Sequence, residues 1–179
     1  MSSANAHRFA PAAADEEYVY GSCSPGWHSA ASHGESIDDW IGFMRAEGIE
    51  RVVCLLPGRQ LAENGANLDC YGDAFGHPNV LHAPVPDRHL VPEALLTEEI
   101  LPFIAEARND EAPVVVHCLA GIGRTGQVLA AWLVYNRDCG PREAVETVQA
   151  NGRDPTDAVR AGHADIEELH ALLGDVACL

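Results

Sequence analysis

One segment constrains the fold of this chain more than any other: Pro113-Val-Val-Val-His117 followed directly by Cys-Leu-Ala-Gly-Ile-Gly-Arg-Thr-Gly126. Three consecutive β-branched residues, with no polar alternation, predict a short strand buried on both faces. Downstream, Thr125–Asn136 is apolar nearly all round (Val128, Leu129, Trp132, Leu133), which predicts a central helix covered on several sides. Gly121, Gly123 and Gly126 let the connection curl tightly and expose its amides. A buried strand feeding a buried helix requires further strands beside it and helices on both faces, so the fold class is α/β.

The remaining chain supplies those partners. Tyr18–Tyr20 is β-prone, Arg51–Leu56 is an apolar run bounded by Pro57-Gly58, and Asn79–Pro84 is a weaker strand. Ile37, Trp40, Ile41 and Met44 recur at helical spacing, with Ser36 as expected cap, Asp38 and Asp39 in the first turn and Gly48 as terminator. The Gly/Ser/Pro/His stretch before Glu35 is expected to be loop. Residues 60–77 should hold a short helix and loops. Further helices are expected from Pro92 to about Arg108, interrupted at Pro102, over Pro141–Ala150, and over about Ala164–Leu173. The expected architecture is one domain over residues 15–179, preceded by a flexible tail at 1–14. Its core is a central, mostly parallel sheet of four to five strands flanked by helices.

Charge narrows the partners. The net charge is −16, from 27 acidic and 11 basic residues, and every basic residue is arginine. Such a surface repels nucleic acid and anionic membrane, and neither is expected as a partner. A salty cytosol, in which self-repulsion is screened, is one setting that suits it. There is no apolar run of about 18 residues and no basic-then-apolar start, so a cytoplasmic protein is expected. The six cysteines form no C-x-x-C clip and are expected to be reduced. The pairs His28/His33 and His163/His170 lack helical i,i+4 spacing, so no metal site is expected, and no cofactor.

The glycine-rich turn carries the chemistry. Cys118 and Arg124 are separated by five residues, between a strand end and a helix start. Backbone N–H groups of Leu119, Ala120, Gly121, Ile122 and Gly123, with the helix N-terminus, make a cradle of positive potential for an anion. A cysteine at its lip is expected to ionise readily, free cysteine titrating near pH 8.5 and such sites bringing it to about 3.5–7.5. Arg124 offers a planar fork to two phosphoryl oxygens, and Thr125 can donate its hydroxyl to the sulfur. The same string spells G-x-G-x-x-G, but no second strand follows it and Glu146 lies in a helical stretch, which disfavours a dinucleotide site. Phosphoryl transfer to sulfur needs an acid for the departing oxygen. Asp87, in the proline-stiffened segment Ala83-Pro-Val-Pro-Asp87, is the expected acid, with Asp110 and Asp73 as fallbacks.

HCLAGIGRTG resembles the signature loop of the protein tyrosine phosphatase superfamily, and the chain length suits the compact dual-specificity type. The similarity extends over roughly residues 18–173, through Tyr20-Gly-Ser-Cys-Ser-Pro25 and Gly48-Ile-Glu-Arg-Val-Val53. Asp87 lies 31 residues before the cysteine, where that family carries its acid. The resemblance implies Cys118 as nucleophile, Arg124 as phosphate clamp, Thr125 as leaving-group helper, Asp87 as general acid, and His117 as the residue that orients the loop and tunes the thiol. Asn151-Gly-Arg-Asp154 departs from the family's Arg-Pro turn, which puts only peripheral contacts in doubt. Uncharged Leu119, Ala120 and Ile122 disfavour highly phosphorylated inositides. The expected substrates are phosphorylated proteins or small phosphomonoesters, phosphotyrosine leaving more readily than phosphoserine or phosphothreonine. No aromatic recognition loop is evident. A phosphate-binding pseudophosphatase and a rhodanese- or arsenate-reductase-type cysteine enzyme are the alternatives. Cys54 and Cys70 are the expected partners if oxidation of Cys118 is reversible.

Overall fold

The structure, a computed structural model, describes residues 6–27, 33–64 and 66–179, with the backbone alone at 33–35. Residues 28–32, part of the segment expected as loop before Glu35, lie outside the described residues; of the rest, Gly21 and Ser22 belong to a strand and residues 33–35 are already helical. In chain order a 3-10 turn (Ala6–Arg8) precedes β1 (Ala10–Pro11), β2 (Val19–Ser22), α1 (His33–Ala46), β3 (Arg51–Cys54), α2 (Gly58–Glu63) and α3 (Leu68–Phe75). Then come β4 (Val80–His82), α4 (Glu93–Leu95), a π-helical turn (Leu96–Ile100), α5 (Leu101–Asn109) and β5 (Val114–His117). Four helices close the chain: α6 (Gly123–Arg137), α7 (Pro141–Ala150), α8 (Asp157–Arg160) and α9 (Ile166–Val176).

The strands form one five-stranded sheet in the order β1-β2-β5-β3-β4, parallel except for β1. β5 sits in the middle, which explains its unbroken valine run: Val114 and Val116 point into the core beneath α5 and α6, and Val115 into the core beneath α1 and α3. Val128, Leu129, Ala130 and Ala131 of α6 are fully buried, as its all-round apolarity requires. In the sheet register Ser22 and Cys54 both lie opposite His117, so three parallel strands end together at one point. Ligand sites of open α/β sheets form at such carboxyl ends.

Several sequence expectations need correction. Residues 6–13 are not a loose tail. β1 pairs antiparallel with β2, Ala12 donates its N–H to the Val19 carbonyl at 2.9 Å, and Phe9 stacks on Tyr20 at 4.8 Å. The edge of β2 would otherwise present unpaired backbone groups, and a few apolar residues suffice to cover it. Ser36 lies inside α1 rather than capping it, and its buried hydroxyl has no partner. Residues 58–75 hold two helices rather than one. The irregularity in the helical region after Pro92 falls before Pro102, at the π turn. Pro102 has no N–H for the carbonyl four residues back, and a widened turn lets the helix run on without a break. α8, only four residues long, is too short to show periodicity and was not expected.

Candidate active site

The β5–α6 connection builds the site. Gly121 sits at φ +73°, and a Cβ there would lie 2.4 Å from the Ser22 carbonyl oxygen, so only glycine lets the loop close against the end of β2. Gly123 opens α6 with Asp157 against it; a Cβ would meet that side chain at 2.8 Å. The Cys118 sulfur is almost fully buried and accepts a hydrogen bond from Thr125 Oγ1 at 3.1 Å. Cys118, Leu119, Ala120, Ile122, Gly123 and Arg124 form the floor of a cavity of about 240 Å³. Asp87, Arg88, Trp27, Asp157 and Arg160 form its walls.

His117 lies beneath this floor, completely buried. Its Nδ1 is 3.0 Å from the Cys118 carbonyl oxygen and its Nε2 is 3.0 Å from the Tyr71 hydroxyl. A carbonyl can only accept, so Nδ1 carries the proton and Nε2 accepts from Tyr71. Burial pushes the His117 pKa down to about 4, which keeps the imidazole neutral near pH 7. Trp40 packs edge-on against the ring at 5.3 Å, and Tyr71 at 5.7 Å. His117 is therefore a neutral ring hydrogen-bonded to the loop backbone and contributes no charge near pH 7.

Arg124 is also sequestered and fully aimed. Nη1 donates to Gln60 Oε1 at 2.8 Å and to the Val85 carbonyl at 2.9 Å, while Nη2 meets Asp87 Oδ1 at 3.0 Å. Asp87 is half exposed on the loop after β4, which α6 holds through Gln127: its amide accepts from Val91 N–H at 2.8 Å and donates to the His89 carbonyl at 3.2 Å. His89 in turn bonds the Asp87 carbonyl at 2.8 Å and stacks on His163, which bonds the Arg88 carbonyl at 2.7 Å. The fallback acids lie elsewhere. Asp110 is paired with Arg51 across the end of α5, and Asp73 lies near His77 on α3.

The structure thus brings Cys118, Leu119, Ala120, Ile122, Gly123, Arg124 and Asp87 to one cavity, with Thr125 behind the sulfur and His117 below. Gly121 turns the loop from outside the cavity. Sequence reading missed Gln60 and Trp27. Gln60 lies in a short helix with no chemical motif around it, and Trp27, an isolated aromatic in a Gly/Ser/Pro stretch, gives the cavity the aromatic wall that was not anticipated. It also misjudged Arg153: the 151–154 turn is not peripheral, because this buried side chain bonds the Gly121 carbonyl. Cys54, opposite His117, has its thiol pushed up to about 12, chiefly by burial. Cys23, which also feels the charge of Cys118, is pushed up by burial to about 11. Cys70 lies half-buried on α3.

The chain is similar to several known phosphatases. Dual specificity protein phosphatase Mpk3 of Drosophila melanogaster is 32% identical over 74 residues, 41% of this chain and 18% of that protein. Dual specificity protein phosphatase OPG106 of Monkeypox virus is 28% identical over 75 residues, 41% of this chain and 44% of that protein. The chain spans less than half the length of these curated relatives. Among solved structures, Tk-PTP in its active form is similar at a TM-score of 0.66 and 27% identity, covering 90% of this chain and 92% of that one. Kinase associated phosphatase shares the fold at a TM-score of 0.71 and 18% identity, covering 90% and 88%. The family model for polymorphic toxin system DSP-PTPase phosphatases (Tc-R-P) matches residues 28–138. With more than half of its length inside that match, the chain belongs to this family, a compact dual-specificity branch of the protein tyrosine phosphatase superfamily.

Proposed function

We propose that the protein hydrolyses phosphomonoesters, phosphotyrosine and phosphoserine/threonine of proteins among them, through a cysteinyl-phosphate formed on Cys118. One observation carries the reading: a buried cysteine hydrogen-bonded by Thr125 shares a cavity with an arginine whose fork already faces an acidic side chain. The Cys118 thiolate attacks phosphorus as the bond to the substrate oxygen breaks, and Asp87 hands its proton to that oxygen. Gln60 and Val85 hold Arg124 in the orientation from which Nη2 exchanges Asp87 for a phosphoryl oxygen, stabilising the charge of the transition state. A water molecule then attacks phosphorus and gives its proton to Asp87. The S–P bond breaks, the thiolate returns under the Thr125 hydroxyl, and phosphate leaves.

Trp27 offers an aromatic ring to an aryl phosphate, and aryloxides leave more readily than alkoxides, so phosphotyrosine is the favoured substrate. The uncharged loop side chains, in a chain without lysine, disfavour inositides bearing several phosphates. In a p-nitrophenyl phosphate assay Cys118→Ser abolishes turnover while the folded circular dichroism spectrum is retained, because a serine hydroxyl supplies no comparable anion at neutral pH. Asp87→Asn lowers kcat by about 10²–10⁴. Full activity in either variant excludes the assignment.

A further inference from the structure

The loop between β5 and α6 must hold its amides toward the cavity, and the means by which it does so lies outside the loop. A trans peptide points its C=O and the N–H of the next residue in opposite directions. Fixing a carbonyl on one side of a loop therefore fixes an N–H on the other. The Gly121 carbonyl accepts from Arg153 Nη1 at 2.5 Å, and the Ile122 carbonyl accepts from the Asp154 N–H at 3.1 Å. The opposing N–H groups belong to Ile122 and Gly123, two residues of the cavity floor. Consecutive peptide planes of the anion cradle are thus set by consecutive residues of the turn after α7.

Arg153 is built in for this purpose. Its guanidinium is buried, and besides Gly121 it donates from Nη2 to the carbonyls of Gly21, at 2.7 Å, and Arg8, at 2.5 Å. It therefore ties the end of β2 and the N-terminal segment to the underside of the loop. Two glycines make room for it. A Cβ on Gly21 would lie 3.1 Å from its Cζ, and one on Gly126 would lie 3.2 Å from its Cβ. Its Nε is buried without a hydrogen-bond partner, the cost of a cation placed where backbone carbonyls do most of the solvating. Burial lowers its pKa to about 10, with the negative charge of Cys118 opposing that fall, so the side chain remains a cation at neutral pH.

We propose that Arg153 is a positioning residue for phosphoryl binding: it anchors the Gly121 carbonyl so that the Ile122 N–H stays aimed at the bound oxyanion. The proposal rests on the phosphatase reading above and deepens it. Arg153 never reaches the cavity, so it acts through the loop rather than on the substrate.

The test compares the unsubstituted chain of 179 residues with its Arg153→Met and Arg153→Lys variants. Tungstate and inorganic phosphate affinities are measured by calorimetry per mole of folded protein, alongside p-nitrophenyl phosphate kinetics and thermal melting. Loss of one oxyanion-hole donor costs about 10²–10³ in rate, so loosening one through its anchor should weaken oxyanion binding by about tenfold and lower kcat/KM by about 10² in Arg153→Met. Arg153→Lys keeps the charge and one or two of the three bonds, and should recover part of both losses. It also carries the test if the methionine variant fails to fold. Unchanged oxyanion affinity in the folded variants, with only a lower melting temperature, overturns the proposal and leaves Arg153 a structural brace. A wild-type protein that binds tungstate but does not turn over p-nitrophenyl phosphate refutes the phosphatase reading, while the affinity comparison still decides the role of Arg153.

Discussion

His117 shows how much one side chain can owe to its surroundings. In water its imidazole titrates near 6.5; sealed between Trp40, Tyr71 and the loop backbone, it titrates at about 4. The unfolded chain therefore binds a proton between those values that the native chain refuses, so the native state loses stability as pH falls from 6.5 toward 4 and keeps it above 6.5. The full shift corresponds to about 3 kcal/mol. Urea denaturation across that range should show a steeper loss for wild type than for His117→Gln, which cannot titrate; parallel curves would mean the ring is reached by water. At this scale Cys118, Arg124, Thr125 and His117 were legible because they lie within one local string whose spacing is itself the geometry. Gln60 and Arg153 were not, since they meet their partners across 64 and 32 residues of chain.

At the scale of elements, the β5–α6 turn and α9 make opposite demands on glycine. Gly121 combines a left-handed backbone with contact against the β2 carbonyl, whereas Gly174 of α9 has nothing within 4 Å of its absent Cβ. Gly121→Ala should lower stability by about 1–3 kcal/mol and remove most p-nitrophenyl phosphate turnover, because neither the loop nor the strand end can give way. Gly174→Ala should raise stability by about 0.5–1 kcal/mol and leave turnover alone. Thermal melts and initial rates on the two variants check both, and a Gly121→Ala protein with wild-type activity would show that the loop can relax. The long elements were readable from periodicity and valine content. β1, two residues long, was not: Ala10–Pro11 becomes a strand only because β2 offers it an edge.

For the molecule as a whole, electrostatics sets the expectation. A charge of −16 repels itself in dilute buffer, and exposed ion pairs such as Arg59–Glu63 contribute little. Raising salt from about 0.05 M to about 1 M shortens the Debye length to about 3 Å, so the melting temperature should rise with potassium chloride. A flat or falling melting temperature would show that specific ion pairs outweigh the overall repulsion. Among the described residues no helix is long and apolar enough to cross a membrane.

By itself, the sequence determined the α/β class, the buried middle strand, the all-round buried helix and the motif between them. Each of these rests on residues close in the chain, where periodicity and backbone sterics act directly. Only the tertiary structure decided that residues 6–13 complete the sheet, that Trp27 and Asp157 wall the cavity, and that Arg153 holds the loop from below. Those contacts join elements that packing brings together. A polar side chain reads the same in a solvated turn as in a buried one until the fold removes the water around it.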